Sequence, residues 1–288
     1  MHQFLKAVTL YLFQENGKKR FLLALFLLCL CHNLFAQEIT KSDIKLGETF
    51  TFQSTILGEQ RKLNIYTPPS YGKTDKDFPV IYVLDGSLDE DFIHVVGLTQ
   101  FSSFSWINTI EESIVVGISN VDRKKDFTFP SNNKKDQEEF PTSGHSKNFI
   151  SFLKNEVIPL VDKSYQTTTD RTLIGQSLGG LLATEILYSH TALFNKYIIV
   201  SPSMWWDDES LLAAKGDFKK PYPKVYVAVG KEGPTMETTA TKLYYKTWLL
   251  LEKDNVYYDF LEDANHGDAL HLAVYNALKK FKEIEEKN

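Results

Sequence analysis

The stretch from Leu173 to Leu187 constrains the fold of this chain more than any other. Within it, Gly175-Gln176-Ser177-Leu178-Gly179 fits the G-x-S-x-G pattern, in which a serine stands on a sharp turn between a strand and a helix. Residues 171–174 predict the end of a buried strand, and residues 181–187 predict a helix. Glycines on both sides of the serine let strand and helix pass close together. The pattern therefore predicts a strained turn that exposes Ser177 as a candidate nucleophile.

Other apolar runs and helical patterns alternate along the chain. Continuous apolar runs, typical of parallel strands covered on both faces, lie at 80–84 and 114–118, and later strands are predicted at 197–200, 225–229 and 257–261. Helical segments are predicted at 91–110, 148–162, 181–189, 238–253 and 269–286. Alternating segments at 48–54 and 61–66 predict an antiparallel hairpin. We therefore predict an α/β fold, with a mostly parallel central sheet, an N-terminal antiparallel hairpin and helices on both faces.

The first 36 residues differ from the rest of the chain. Lys18, Lys19 and Arg20 precede a short apolar run, and Ala36 precedes a polar residue. This order is typical of a secretory signal peptide with cleavage after Ala36, and an uncleaved N-terminal anchor is the alternative. We predict a signal peptide at 1–36 and a single domain at 37–288, which would be secreted or periplasmic and not attached to a membrane after cleavage.

Composition excludes several kinds of site. Both cysteines, Cys29 and Cys31, lie in the predicted signal peptide, so the mature protein would have no thiol for a disulfide, a metal site or a nucleophile. Residues 1–36 carry a net charge of +3, so the remainder carries −8, against −5 for the whole chain. Such an acidic balance argues against nonspecific nucleic-acid binding. No cofactor-binding or metal-ligating motif is found, so we predict neither a cofactor nor a metal.

A serine hydroxyl becomes a good nucleophile only when a neighbouring base takes its proton. With this motif the chain order is serine, acid, histidine, which leaves three candidates for the base. His190 ends the helix that follows the serine, and His271 falls one turn into the last helix. His266 lies in a polar loop directly after the last strand, which leads to the edge of the sheet where Ser177 is expected. We predict His266 as the base.

The acid that orients the histidine is expected in the loop after strand 225–229. Glu232 lies in that loop and is our prediction. Glu237 and Asp263 are rivals, and a serine–histidine dyad without a firmly placed acid is also open.

Backbone amides near the serine are expected to form an oxyanion hole. Leu178 follows the nucleophile directly, and Ser87 lies in the loop that follows strand 80–84. We predict their N–H groups as the two donors.

Further residues are candidates for substrate binding. Gly86 lies beside the predicted oxyanion donor, and Arg123 could bind an anionic group. Trp205 and Trp206 could stack on aromatic or sugar rings, or could instead pack in the core. The irregular segment 122–146 leaves the same edge of the sheet and is a candidate substrate lid, or a solvated loop.

Four segments together resemble the putative-esterase family of α/β-hydrolases, and most closely its siderophore esterase branch of the enterobactin and bacillibactin type. They are Leu84-Asp85-Gly86, 120–123, 175–181 and 201–206. The resemblance covers most of residues 45–282. It implies an α/β-hydrolase fold with Ser177 as nucleophile, His266 as base and the amides after Gly86 and Ser177 as oxyanion hole. The family also contains feruloyl esterases, acetyl-xylan esterases and mycolyltransferases.

We therefore predict a secreted serine esterase that hydrolyses carboxylic esters through an acyl-enzyme. The expected partner is a small-molecule or glycan ester, either a siderophore trilactone or an aryl or sugar ester. The lysines of 122–146 are balanced by acidic residues, which does not match a strongly anionic ferric tris-catecholate. An acyltransferase of the same fold and a ligand-binding homologue without turnover are the alternatives. The acyl group, the alcohol and the oligomeric state are not predicted.

Overall fold

The computed structural model describes residue 6 and residues 17–33, 39–216 and 218–285. The chain divides into two compact units, Met1–Lys45 and Leu46–Asn288. In the first unit, helix α1 spans Gly17–Asn33. Within the described residues, no helix combines the length and apolar character that crossing a membrane would require. The predicted cleavage position after Ala36 lies outside the described residues.

Eight strands of the second unit form one sheet in the order β1-β2-β4-β3-β5-β6-β7-β8. The pairs β1–β2 and β2–β4 are antiparallel, and all other neighbours are parallel. The strands are β1 (Glu48–Gln53), β2 (Gln60–Tyr66), β3 (Phe78–Val83), β4 (Ile114–Ile118), β5 (Thr167–Gln176), β6 (Lys196–Val200), β7 (Lys224–Gly230) and β8 (Val256–Leu261). The predicted sheet with its N-terminal hairpin is confirmed.

Helices cover both faces of this sheet. They are α2 (Phe92–Ser103), α3 (Arg123–Phe127), α4 (Lys134–Glu139), α5 (Ser146–Phe152), α6 (Ile158–Ser164), α7 (Leu178–Ser189), α8 (Pro234–Leu250) and α9 (Ala269–Glu285). One π-helical turn, Leu153–Val157, joins α5 to α6. The helix predicted at 91–110 ends at Ser103, where the chain turns back: the amides of Thr109 and Ile110 both donate to Ser102 O.

Alternate residues of the central strands face two separate apolar layers. Val80 and Tyr82 belong to the layer that contains α5, α6, α7 and α8, whereas Ile81 and Val83 face α2 and α9. A strand whose side chains point alternately to two covered faces must be apolar throughout, which explains the continuous apolar runs in the sequence. The central strands are therefore covered on both faces, whereas the edge strands β1 and β8 are partly exposed.

The segment 122–146, predicted as irregular, contains the two short helices α3 and α4. Asp122 accepts a hydrogen bond from Lys125 N at 3.0 Å and Asn133 accepts one from Lys135 N at 2.8 Å, so each caps the helix that follows it. Asp207, in a distorted helical turn at Trp206–Glu209, accepts a hydrogen bond from Asn132 N at 2.6 Å. The Asp207 contact joins this segment to the loop that follows β6.

A buried ion pair anchors the same segment to the hairpin. Arg61 of β2 is fully buried, and its Nη1 lies 2.7 Å from Oδ2 of the buried Asp126 in α3. The guanidinium carbon lies 5.3 Å from the ring centroids of both Phe149 and Phe152. Nη1 also lies 2.9 Å from Oε1 of Glu59. Because Asp126 is removed from water, its charge depends on the arginine for its stability.

Candidate active site

The predicted strained turn joins β5 to α7 at Ser177. This residue has φ 58° and ψ −119°, a combination that costs free energy for any residue with a side chain. Its amide donates to Val200 O at 3.0 Å and its carbonyl accepts from Leu181 N at 2.9 Å, so the turn is held on both sides. A Cβ on Gly175 would lie 2.4 Å from Gly179 O, so the strand and the helix can meet this closely only at glycine.

His266 and Glu232 are brought together at the same edge of the sheet by the loops after β8 and β7. Nδ1 of His266 lies 2.5 Å from Oε2 of Glu232. The Glu232 side chain is only 3% exposed, whereas that of His266 is 49% exposed. Since a carboxylate can only accept, this contact puts the proton of a neutral imidazole on Nδ1 and leaves Nε2 as an acceptor.

Glu232 is held in its ionised form by the groups around it. Burial by itself raises the pKa of this carboxyl. The hydrogen bonds from His266, Ser201 and the backbone N–H of Gly230 lower the pKa by more than burial raises it, so the pKa lies below its ordinary value. Oε1 accepts from Ser201 Oγ and, at 3.0 Å, from Gly230 N. An ionised Glu232, fixed by these hydrogen bonds, therefore faces Nδ1 of the imidazole.

The rival acids have other surroundings. Glu237 Oε1 accepts hydrogen bonds from the amides of Glu232 and Gly233, at 3.0 and 2.8 Å, so it caps the start of α8. Asp263 is exposed in the loop after β8. In the described part of the chain, only Glu232 of the three candidates has a hydrogen bond to His266.

Ser177 and His266 line one open cavity at the carboxyl edge of the sheet. Its lining comprises Asp85, Glu90, Asp91, Arg123, Gln176, Ser177, His266 and Gly267. The side-chain amide of Gln176 donates to His266 O and ties the histidine loop to the turn. The partner of Ser177 Oγ is Ser203 Oγ at 3.3 Å, and among the hydrogen bonds of the described residues none joins Ser177 to His266.

Arg123 lines the cavity as expected for a substrate-binding residue, but its guanidinium already has a partner. Nε lies 2.6 Å from Oδ1 of Asp85 and Nη2 lies 2.9 Å from Oδ2, a bidentate pair. Nη2 also donates to Gln176 O at 3.2 Å. Sequence reasoning missed Asp85, which neutralises the cation that was predicted to attract an anionic substrate.

The two predicted oxyanion donors are placed differently. Leu178 is the first residue of α7, where backbone N–H groups point out of the helix toward its N-terminus. Ser87 N donates to Oε2 of Glu90 at 3.3 Å. Ser87 itself is not among the residues that line the cavity, whereas Glu90 is.

Gly86 has a structural role directly after β3. It is buried, and a Cβ at this position would lie 2.4 Å from Gly117 Cα. Its amide donates to Ile118 O at 3.0 Å. The glycine is therefore needed for the close approach of the backbone after β3 to that of β4, and its predicted contact with a substrate stays a prediction.

The expectation of an aromatic wall made by both tryptophans is corrected. Trp206 is fully buried, and its indole N–H donates to Phe129 O at 2.9 Å. Its ring packs edge-on against Phe140, with centroids 5.4 Å apart. Trp205 is half-buried beside it, and neither ring is among the residues that line the serine cavity. The alternative weighed from the sequence, core packing, describes Trp206.

Three carboxyl groups on one side of the cavity were not identified from the sequence. Asp85, Glu90 and Asp91 all line it, and the run Asp89-Glu90-Asp91 was the available signal for the last two. Burial, together with the nearby charges of Asp85 and Glu90, raises the pKa of Asp91 to about 6. Within the described residues, no group of three or more metal-ligating side chains is arranged to hold a metal ion.

Comparison with known proteins gives a consistent picture. The family described as "Putative esterase" matches residues 54–256. The ferri-bacillibactin esterase BesA of Bacillus subtilis (strain 168) is 26% identical over 249 residues, which cover 76% of this chain and 83% of BesA. An IroE-like serine hydrolase from Shewanella oneidensis superposes with a TM-score of 0.72 at 26% identity, over 82% of this chain and 80% of that one. The BES protein from Bacillus cereus superposes with a TM-score of 0.71 at 25% identity, over 84% and 98%.

Proposed function

This chain belongs to the putative esterase family and is a carboxylic ester hydrolase, and we propose that it works through an acyl-enzyme formed on Ser177. In this proposal His266 is the general base and Glu232 is the acid that orients it. The observation that carries the proposal is the 2.5 Å contact between His266 Nδ1 and Glu232, in a loop that lines the same cavity as the strained serine.

The proposed reaction has two halves. Nε2 of His266 takes the proton of Ser177 Oγ as that oxygen attacks the ester carbonyl, and the imidazolium is stabilised by Glu232. The imidazolium then protonates the departing alcohol, which leaves an acylated serine. Water attacks the acyl-enzyme with the same histidine as base and releases the acid. We expect Ser177 Oγ to exchange its Ser203 partner for His266 Nε2 when substrate binds, because such hydrogen bonds often tighten only in the complex.

The N-terminus of α7 supports the tetrahedral intermediate in this scheme. The amide of Leu178 follows the nucleophile and belongs to the first turn of a 12-residue helix. Helix N-termini carry partial positive charge, which stabilises an oxyanion that forms there.

For the substrate we propose a small-molecule ester of the siderophore class, because the named relatives include a ferri-bacillibactin esterase. One observation favours a second candidate, an uncharged aryl or sugar ester. Among the described residues that line the cavity, the arginine is paired with Asp85, while Glu90 and Asp91 add two further carboxyl groups. A lining of this kind repels an anionic ligand.

We also propose that residues 1–36 are a cleaved signal peptide and that the domain at 37–288 acts outside the cytoplasm. The basic and apolar order of that segment supports this, as does the division of the chain into Met1–Lys45 and Leu46–Asn288. Intact-mass measurement of the exported protein tests it. A mature chain that begins at Gln37 is expected, and an exported chain that retains Lys18 to Arg20 would contradict cleavage.

The serine mechanism is tested with Ser177→Ala. Hydrolysis of 4-nitrophenyl butyrate and labelling by a fluorophosphonate probe should both be lost, since the probe reacts only with an activated serine. Ser189→Ala is the matched control: it makes the same change at the exposed end of the same helix and should keep both activities. Hydrolysis that persists in Ser177→Ala, or a wild-type protein that binds ligands without reacting with the probe, would overturn the proposal.

A further inference from the structure

In the turn between β3 and α2, the carboxylate of Glu90 accepts a hydrogen bond from the backbone amide of Ser87. Glu90 N donates to Ser87 O at 3.1 Å, and the Glu90 side chain folds back so that Oε2 accepts from Ser87 N at 3.3 Å. Oε1 accepts from Asn120 Nδ2 at 3.0 Å. Glu90, and not Ser87, lines the cavity that contains Ser177.

Ser87 is the residue of this turn whose amide can serve an oxyanion. The preceding amide, that of Gly86, is bonded to Ile118 O at 3.0 Å and belongs to the contact between two strand ends. The Ser87 amide instead has a side chain as its partner, and side chains move by rotation about χ angles without disturbing the backbone. At 3.3 Å the bond is longer than the usual 2.7–3.2 Å of an N–H···O hydrogen bond.

We propose that Glu90 is a specificity-determining residue that covers the second oxyanion donor, so that the substrate carbonyl must displace its carboxylate from the Ser87 amide. This inference rests on the proposed serine mechanism. In the exchange, the hydrogen bond from Ser87 N–H to Glu90 breaks and one from Ser87 N–H to the ester carbonyl forms. Glu90 keeps a donor throughout, because Asn120 Nδ2 lies 3.0 Å from Oε1 and 3.3 Å from Oε2.

The negative charge of Glu90 is expected to make the site discriminate between neutral and anionic substrates. A displaced Glu90 stays near the developing oxyanion, and like charges at this range repel. The guanidinium of Arg123 does not offset the repulsion, because its charge is paired with Asp85 through Nε and Nη2. An ester that carries its own negative charge meets Glu90 and Asp91 in addition, so uncharged esters are the preferred class.

A purely structural role for Glu90 makes a different prediction. Ser87 and Glu90 have the spacing of a capping box, in which a glutamate bonds the amide three residues before it. Here the pair lies in the turn before α2, which begins at Phe92, so its structural role would be to stabilise that turn. Removing such a cap lowers stability but does not change the relative rates of neutral and anionic esters. The ratio of those rates therefore separates the two roles.

The test compares Glu90→Gln and Glu90→Ala with Asp89→Asn, which removes one charge from the same turn at an exposed side chain. Each protein is assayed for kcat/KM on 4-nitrophenyl butyrate, which is neutral, and on mono-4-nitrophenyl glutarate, which is anionic. We expect both Glu90 variants to raise kcat/KM on the neutral ester several-fold and the anionic-to-neutral ratio by roughly tenfold, because one adjacent charge is removed. Asp89→Asn should change the ratio by less than about twofold, since exposed charges are screened.

An unchanged or lower ratio in Glu90→Gln overturns the inference and leaves Glu90 as a residue that only stabilises the turn before α2. Glu90→Gln retains an acceptor oxygen for Ser87 N, so it remains informative if Glu90→Ala fails to fold. Ser177→Ala is run beside these variants. If it is inactive while Glu90→Gln behaves as wild type, the inference about Glu90 fails alone. If Ser177→Ala is active, or wild type hydrolyses neither ester, the serine mechanism fails and the Glu90 inference fails with it.

Discussion

The sharpest test of the site is the substitution Glu232→Gln. It replaces one carboxylate oxygen by an NH2 group and leaves the size of the side chain almost unchanged. The oxygen at Oε1 can still accept from Ser201 Oγ and from Gly230 N. The NH2 group then faces Nδ1 of His266, where it can only donate. The imidazole must accept at Nδ1, so its proton moves to Nε2, the atom that should take the proton of Ser177.

The size of the effect follows from the geometry. When His266 becomes an imidazolium, its charge lies roughly 4 Å from that of Glu232, and two unit charges at that distance attract by about 4 kcal/mol at an effective dielectric constant near 20. Half of the histidine side chain is exposed to water, which weakens this attraction. We therefore expect kcat to fall about 10²- to 10³-fold from the lost charge, and more from the wrong tautomer.

The assay is steady-state hydrolysis of 4-nitrophenyl butyrate, with circular dichroism and a thermal melt to show that the variant is folded. Asp263→Asn is the matched control, since it removes one exposed carboxylate from the histidine loop itself and should leave kcat within about twofold. A Glu232→Gln enzyme that keeps more than a tenth of the wild-type kcat would refute the reasoning. The protein would then use Ser177 and His266 as a dyad without this acid.

Three further predictions concern the stability of the fold. Gly175→Ala should unfold the turn or abolish activity, because the new methyl group would lie 2.4 Å from Gly179 O; fluorophosphonate labelling and a thermal melt measure both effects. Arg61→Ala should lower the free energy of unfolding by about 3–5 kcal/mol in urea titration, since it leaves Asp126 buried without its cation. Burial raises the pKa of Glu185 from 4.5 to about 7, so the folded state binds this proton more tightly than the unfolded state does. The resulting contribution to the free energy of unfolding is complete below pH 4.5 and is lost as pH rises through 7. Glu185→Gln should therefore gain up to about 3 kcal/mol over wild type at pH 8 and much less at pH 5 in urea titrations, and equal gains at both pH values would contradict this.

The strained turn at Ser177 could be predicted because its requirements are local. A serine with positive φ between a strand and a helix needs glycines two residues away on either side, and those glycines stand in the chain itself. The enclosed strands could be predicted for a similar reason, since burial on both faces removes the polar positions from a strand.

The meeting of His266 and Glu232 could be anticipated from chain order. Each lies in the loop that leaves one of two neighbouring parallel strands, and parallel strands end at the same edge of a sheet. The sequence left Glu237 and Asp263 as rivals because loop geometry decides which carboxylate reaches the imidazole. That choice depends on a hydrogen bond from Ser201, which belongs to a third strand end.

The sequence by itself determined the fold class, the position of the serine on its turn and the loops that carry a candidate base and acid. Only the tertiary structure decided that Trp206 lies in the core, that Arg123 is paired with Asp85 and that Glu90 accepts a hydrogen bond from the Ser87 amide. Backbone strain and strand burial are properties of neighbouring residues, so they leave a local pattern. The partner of a charged group or of an aromatic ring comes from a segment far away in the chain, so it cannot be predicted from the residues on either side.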